Sequence, residues 1–158
     1  MRILTRTIRR IRLIRVRFAT TTPTIMIQLA ATPYTLHFRK PAPTSRGLLT
    51  TRAIWLVRAW DDAMPGVTGW GEAGPLPGLS RDDTPDFAAT IADLCVRFNQ
   101  TGVPDVAAAQ AWIQRLAAAW PSLAFGVEMA LRDLATGSRL QLWDTPFARG
   151  ESGQPTHG

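Results

Sequence analysis

Three kinds of hydrophobic patterning follow one another along the chain. Residues 1–18 interleave Ile, Leu and Val with Arg (IRRIRLIRVRF), a basic amphipathic pattern without the long apolar core or small-residue cleavage site of a secretory signal. Residues 19–24 (ATTTPT) are small and polar, as a linker is. From Ile27 a period of two takes over. Tyr34, Leu36 and Phe38 alternate with Thr35 and His37, which predicts a half-buried strand. The run Lys40-Pro41-Ala42-Pro43 is expected to end it, because proline cannot donate to a ladder. Residues 51–60 are rich in β-branched and aromatic side chains and predict a second strand. Asp61-Asp62 and Pro65-Gly66 supply a turn, and residues 67–73 return as a third strand.

After Gly74 the period lengthens to that of a helix. Thr84-Pro85-Asp86 reads as a helix start with Thr84 as the cap, and Phe87, Ile91, Leu94, Cys95 and Phe98 then fall on one face. Asp105 is placed to cap a second helix carrying Val106, Trp112, Ile113, Leu116 and Trp120. Pro121 breaks that helix and opens a third, with Leu123, Val127, Ala130, Leu131 and Leu134 on one stripe and Gly137 as its C-terminal stop. Strands first and helices second predict an α+β fold, a three-stranded antiparallel meander followed by a helical bundle.

Charge changes this picture only at one end. The formal net charge is +6, but residues 1–17 alone carry seven arginines, and from Met26 onward eleven basic residues face twelve acids. The folded part is therefore close to neutral and has no footprint for phosphates, so neither nucleic acid nor a membrane is an expected partner. Residues 1–25 are expected to form a disordered basic leader outside the folded domain, with Met26 the more natural beginning. An organellar presequence or a membrane-surface element is the competing reading of the same residues. The single cysteine, Cys95, excludes an internal disulfide and fits a reducing, cytoplasmic setting.

Candidate chemistry is sparse. There is no GxxxxGK[ST] loop and no HExxH pair, and the only histidines are His37, in a strand, and His157, in the tail. Cys95 lies on an apolar helical stripe and reads as an inert buried thiol. Lys40, the only lysine, sits at an exposed strand end that offers nothing to lower its pKa. Asp61-Asp62 and Asp82-Asp83 fall in turns, where acids serve turn and cap hydrogen bonds. Glu128 and Asp133 are five apart on one helix and do not face a shared ligand. Trp112 and Trp120 read as core. Two loops remain, Thr44-Ser45-Arg46-Gly47 and Leu76-Pro77-Gly78-Leu79-Ser80. Each sets a small hydroxyl residue near glycine, and Arg46 is a forked donor suited to a carboxylate; ordinary connecting loops would look the same.

The runs KPAPTSRG, WGEAGPLPGLS and PSLAFGVEMALRDL together resemble, in this order, the N-terminal capping domain of the enolase superfamily, and within it the o-succinylbenzoate synthase family of menaquinone biosynthesis. The resemblance implies a capping domain over residues 26–150 and, at residues 151–158, the truncated start of a barrel domain. It implies a two-part lyase in which a TIM barrel supplies two lysines and three acidic Mg²⁺ ligands, and a cyclohexadiene carboxylate loses water to give o-succinylbenzoate. The cap's share would be substrate binding by Thr44, Ser45, Arg46, Gly47, Leu76, Pro77, Gly78, Leu79 and Ser80. No catalytic residue, metal ligand or bound cofactor is expected in this chain, Mg²⁺ being implied for the complete enzyme only. No TIM barrel is expected either, since one needs about 200 or more residues. The implied partners are that barrel and a small carboxylate substrate, and the chain alone is expected to be inactive. Two other readings stay open: the cap of an N-acylamino acid racemase or dipeptide epimerase, and a non-catalytic binding module whose leader touches membrane or nucleic acid.

Overall fold

The computed structural model describes residues 26–44, 47–139, 141 and 143–153. The expected basic leader, the loop positions Ser45 and Arg46, and residues 154–158 lie outside the described residues. Three strands, β1 (Ile27–Thr44), β2 (Gly47–Asp61) and β3 (Thr68–Ala73), form one antiparallel sheet in the order β1-β2-β3. Three helices follow, α1 (Phe87–Thr101), α2 (Val106–Ala117) and α3 (Pro121–Ala135). The arrangement is α+β, a meander and then a helical layer, and no barrel is present among the described residues.

One face of the sheet makes the core. Ile27 and Leu29 of β1, Val57 and Ala59 of β2 and Ala73 of β3 point into the helices, where they meet the apolar stripes of all three helices. The stripe Phe87, Ile91, Leu94, Cys95 and Phe98 is buried on α1, as its spacing requires. Aromatic rings tie the layers together: Trp55 of β2 lies 4.8 Å from Phe87, Phe87 lies 6.1 Å from Trp120, and Phe98 lies 5.6 Å from Trp112. The tryptophans read as core from their spacing are thus core-lining, only half-buried themselves.

Contact between α3 and β3 is unusually close. Gly69 and Gly71 face the helix, and a Cβ on either would overlap a helix carbonyl oxygen, of Ala130 and Gly126 respectively. Gly126 reciprocates, since its own Cβ would come within 2.8 Å of Ala73 Cβ. Glycine here is a matter of space, not of dihedral freedom.

Side chains close both edges of the sheet. On the β1 edge Asn99 accepts from Leu29 N at 2.8 Å and donates to Leu29 O at 3.0 Å, while Ile27 N donates to Val103 O at 2.8 Å. On the β3 edge the buried Asp133 carboxylate accepts from Trp70 N at 3.0 Å, and Ser138 Oγ donates to Thr68 O. Each edge group so occupied is lost as a template for another strand. α3 itself ends in a Schellman motif: Gly137 N donates to Leu134 O and Ser138 N to Asp133 O, with Gly137 at φ +79° as the left-handed stop.

Three sequence expectations need correction. First, β1 does not end at Lys40-Pro41-Ala42-Pro43. It runs to Thr44, and Ala42, Pro43 and Thr44 pair with Leu49, Leu48 and Gly47 after a bulge that follows His37. β1 is an edge strand whose odd-numbered residues Ile27 and Leu29 turn their N–H groups away from β2, so Pro33, of the same parity, costs the ladder nothing. Second, the alternation Tyr34-Leu36-Phe38 does mark a strand, but Tyr34 is 53% and Phe38 38% exposed. Tyr34 lies on the face opposite the helices, and its pairing with Ile54 continues past the end of β3, which stops opposite Trp55. Third, Thr84 is not the side-chain cap of α1. The helix starts at Phe87 after Asp86, with no side-chain cap, and Thr84 contributes only its carbonyl, which accepts from Phe87 N at 3.1 Å. The expectation for Asp105 agrees with the structure: its carboxylate accepts from Ala108 N at 2.7 Å.

Candidate functional site

The sheet places the two candidate loops at one end. β2 runs from Gly47 to Asp61 and β3 runs back from Thr68 to Ala73, so the start of β2 and the exit of β3 lie on the same side. The first loop is the tip of the β1–β2 hairpin. Thr44 and Gly47 are cross-strand partners, and Thr44 Oγ1 donates to Gly47 O at 2.8 Å, so only two residues, Ser45 and Arg46, make the connection. From Trp55, the last β2 residue paired with β3, this two-stranded arm projects eight residues to Gly47, about 27 Å at strand rise.

The second loop leaves β3 directly and is locked by its own hydrogen bonds. Leu76 N donates to Ser80 Oγ at 2.8 Å, Ser80 N and Leu79 N donate to Leu76 O at 2.9 and 3.0 Å, and Gly78 N donates to the Asp83 carboxylate at 2.7 Å. Gly78 sits at φ +66°, the left-handed conformation that glycine takes without strain. The result is a rigid turn that holds Leu79 outward, 59% exposed, with Pro77 and Gly78 beside it.

Asp82 fixes that turn to the body of the protein. It is 1% exposed, and its carboxylate accepts from Ser122 N at 2.7 Å, Ser122 Oγ at 2.8 Å and Leu123 N at 3.4 Å. A buried carboxylate thus caps α3 from 40 positions earlier in the chain, at the end where the helix dipole favours negative charge. The aspartate pairs read as turn and cap residues have that role, but the helix capped by Asp82 is α3, not the adjacent α1. Only the residue types hinted at this; the spacing to the partner carries no local signal.

The remaining candidates fall apart on inspection of the fold. His37 and Lys40 are exposed on the β1 arm. Glu128 pairs with Arg132 at 2.7 Å on the surface while Asp133 is buried against Trp70 N, so the two acids face different directions. Among the described residues no three His, Cys, Asp or Glu side chains converge on a point. Cys95 is buried on α1, and burial pushes its thiol up from 9.0 to about 11. Labelling by a thiol reagent at pH 8 is accordingly expected only after denaturation. Because unfolded chains release this proton first, stability is expected to fall as pH rises from 9.0 toward about 11, a decline absent from Cys95→Ala. A urea titration across that range checks both.

Sequence reasoning missed the cleft at the base of the second loop. Arg52 on the open face of β2 reaches Gly74 O at 3.0 Å and Glu72 at 3.4 Å, and with Ser80, Arg81, Ser122 and Phe125 it lines a cavity of about 530 Å³. Gly74 makes this possible, since a Cβ there would lie 2.7 Å from Arg52 Nη2.

Comparison with known proteins agrees with this architecture. No family model matches the chain. In an alignment of 146 positions that covers 78% of its length, it is 32% identical to o-succinylbenzoate synthase of Desulfotalea psychrophila, of which the match covers 39%. The fold superposes on MenC from Desulfotalea psychrophila LSv54 with a TM-score of 0.64 at 25% identity, over 84% of this chain and 41% of that one. The L-Ala-D/L-Glu epimerase from Bacillus subtilis gives 0.54 at 27% identity, over 68% and 30%. The chain therefore spans about two fifths or less of the length of these relatives. No helix among the described residues is long and apolar enough to cross a membrane. An antiparallel three-stranded meander followed by three helices, superposing on these relatives, identifies the fold as that of the enolase-superfamily N-terminal capping domain, with a sequence similar to that of o-succinylbenzoate synthase.

Proposed function

We propose that residues 26–150 serve as the cap of an o-succinylbenzoate synthase-like dehydratase, closing over a TIM barrel that carries the reacting groups. The observation that carries this reading is the shared end of the sheet: the hairpin tip at residues 44–47 and the rigid turn at residues 76–80 lie on one side, as two loops that close on one substrate must. Water exclusion and substrate positioning are what such loops contribute. Thr44, Gly47, Leu79 and Ser80 would line the closed chamber, with Ser45 and Arg46 also assigned to substrate binding.

Proton abstraction and metal chemistry belong, on this reading, to the barrel. Mg²⁺, which the resemblance implies for the complete enzyme, would supply Lewis-acid chemistry there. The described residues of this chain offer no converging ligand set for it, so no step here runs through the ion. The same fold in an L-Ala-D/L-Glu epimerase, at 27% identity, favours a dipeptide epimerase cap as the second reading.

Mixing the purified chain with the separately expressed barrel of a synthase relative tests the proposal. The pair is expected to dehydrate the cyclohexadiene carboxylate, with neither part active alone. Turnover by the chain alone would overturn it. Epimerisation of a dipeptide by the pair, without dehydration, would favour the second reading. Removing residues 1–25 is expected to leave both the folding and the activity of the pair unchanged.

A further inference from the structure

We propose that residues 1–25 dock in the apolar groove at the far end of the sheet, with their arginines reaching Asp61 and Asp105 on its walls. The groove opens between the β2–β3 turn, the start of α2 and the end of α3, and measures about 340 Å³. Ile27, Met64, Val67 and Leu134 make it apolar, and those two aspartates are its only charged residues among the described ones. Asp61 is 3% exposed, and its carboxylate accepts a hydrogen bond only from Ala63 N, at 2.8 Å. The Asp105 carboxylate accepts only from Ala108 N. Neither pairs with a cation among the described residues. A carboxylate withdrawn from water gains most from an opposite charge, so this wall favours a cation. The C-terminal end of α3 lies there too, and its dipole favours the same sign.

Attachment, charge and pattern all point to the leader as the occupant. It joins the fold at Met26, next to Ile27, which lines the groove. The linker at residues 19–24 reaches at most about 20 Å, so residues 1–18 are held near the groove at an effective concentration on the order of 1 mM. Residues 1–17 carry seven arginines and no acid, the complement of a groove charged only by aspartate. Ile14, Val16 and Phe18 alternate with Arg15 and Arg17, so apolar and cationic groups arrive together. Arginine stems pack on apolar surface while their guanidinium groups reach a carboxylate. Composition alone set this segment outside the folded domain; the groove gives it a seat there. That seat lies at the opposite end of β2 from residues 44–47, so docking leaves the cap's loops free and does not rest on the function proposed above.

A spin label on the full chain tests the docking. Thr7→Cys provides the attachment point, because the buried Cys95 stays unlabelled in the folded protein. Paramagnetic broadening of methyl NMR signals is the readout. Strong broadening of Met64, Val67 and Leu134 is expected at low salt, with Leu48 and Leu79 at the other end left sharp. Asp105→Asn, which keeps an acceptor for the α2 cap, is expected to weaken docking about threefold, and about 0.5 M sodium chloride to weaken it further. The triple change Ile14→Ser, Val16→Ser and Phe18→Ser, which keeps every arginine, is expected to abolish the contrast between the two ends. Broadening equal at both ends, or a contrast that survives both salt and the serine changes, would overturn the proposal. So would broadening seen only between a spin-labelled chain and a separate isotope-labelled one, which would give the groove to a second copy.

Discussion

Gly71→Ala is expected to cost more than about 4 kcal/mol, enough to leave the chain without a cooperative unfolding transition. The added methyl would fall on the Gly126 carbonyl oxygen and within 2.8 Å of Ala130 N, both backbone atoms in the middle of α3. A flexible side chain could swing aside; a helix backbone cannot. Relief would need α3 to lift from β3, and that movement would open the packing of Val127, Ala130 and Leu134, all at most 3% exposed. Gly153→Ala, with nothing within 4 Å of the new atom, is the matched control and should unfold like the parent. Circular dichroism melts of the two variants decide the matter. A Gly71→Ala chain melting within a few degrees of the parent would mean that α3 does not sit this close.

Removing the Asp82 carboxylate ranks second. Asp82→Ala deletes the acceptor for three donors, two of them backbone N–H groups at the first turn of α3. With a charged acceptor removed and buried donors left behind, a loss of about 3 kcal/mol is expected in urea denaturation. Asp82→Asn keeps one carbonyl oxygen but turns an NH₂ toward the other donors, so it should fall between the parent and the alanine variant. A second consequence separates this from a general loss of stability. The 76–80 turn loses its tether, so the amides of Leu79 and Ser80 should exchange faster than those of α1 in the same variant. Equal acceleration throughout the chain would refute the tethering role.

What was legible beforehand followed the reach of the interactions. Helical stripes repeat every three or four residues, so the buried set of α1 could be listed from spacing, and Asp105 sits next to the helix it caps. Contacts that span the fold left no trace: Asp82 to Ser122, Asp133 to Trp70 and Asn99 to Leu29 link residues 40 to 70 positions apart. The prolines of β1 misled for a related reason. Whether a proline interrupts a ladder depends on which way its N–H would point and whether the strand is an edge, and neither is written in the local sequence. Within the candidate site, residues 76–80 were visible as a glycine- and proline-rich turn. Arg52 and Arg81 were not, because a strand arginine becomes a pocket wall only when Gly74 comes up beside it.

The arm formed by β1 and β2 has a mechanical consequence. Beyond Trp55 it has no third strand, and its last tie to the body is Arg52, which donates to Gly74 O and pairs with Glu72. The five residues from there to Gly47 therefore behave as a cantilever clamped at one end. A tilt of about 10° at the clamp would carry the tip about 3 Å sideways, given a reach of about 17 Å. The clamp is the Arg52 contact together with the stack of Trp55 on Phe87. A substitution there would re-aim Thr44 and Gly47 without touching either, so the tip's position is set by packing far from the tip itself.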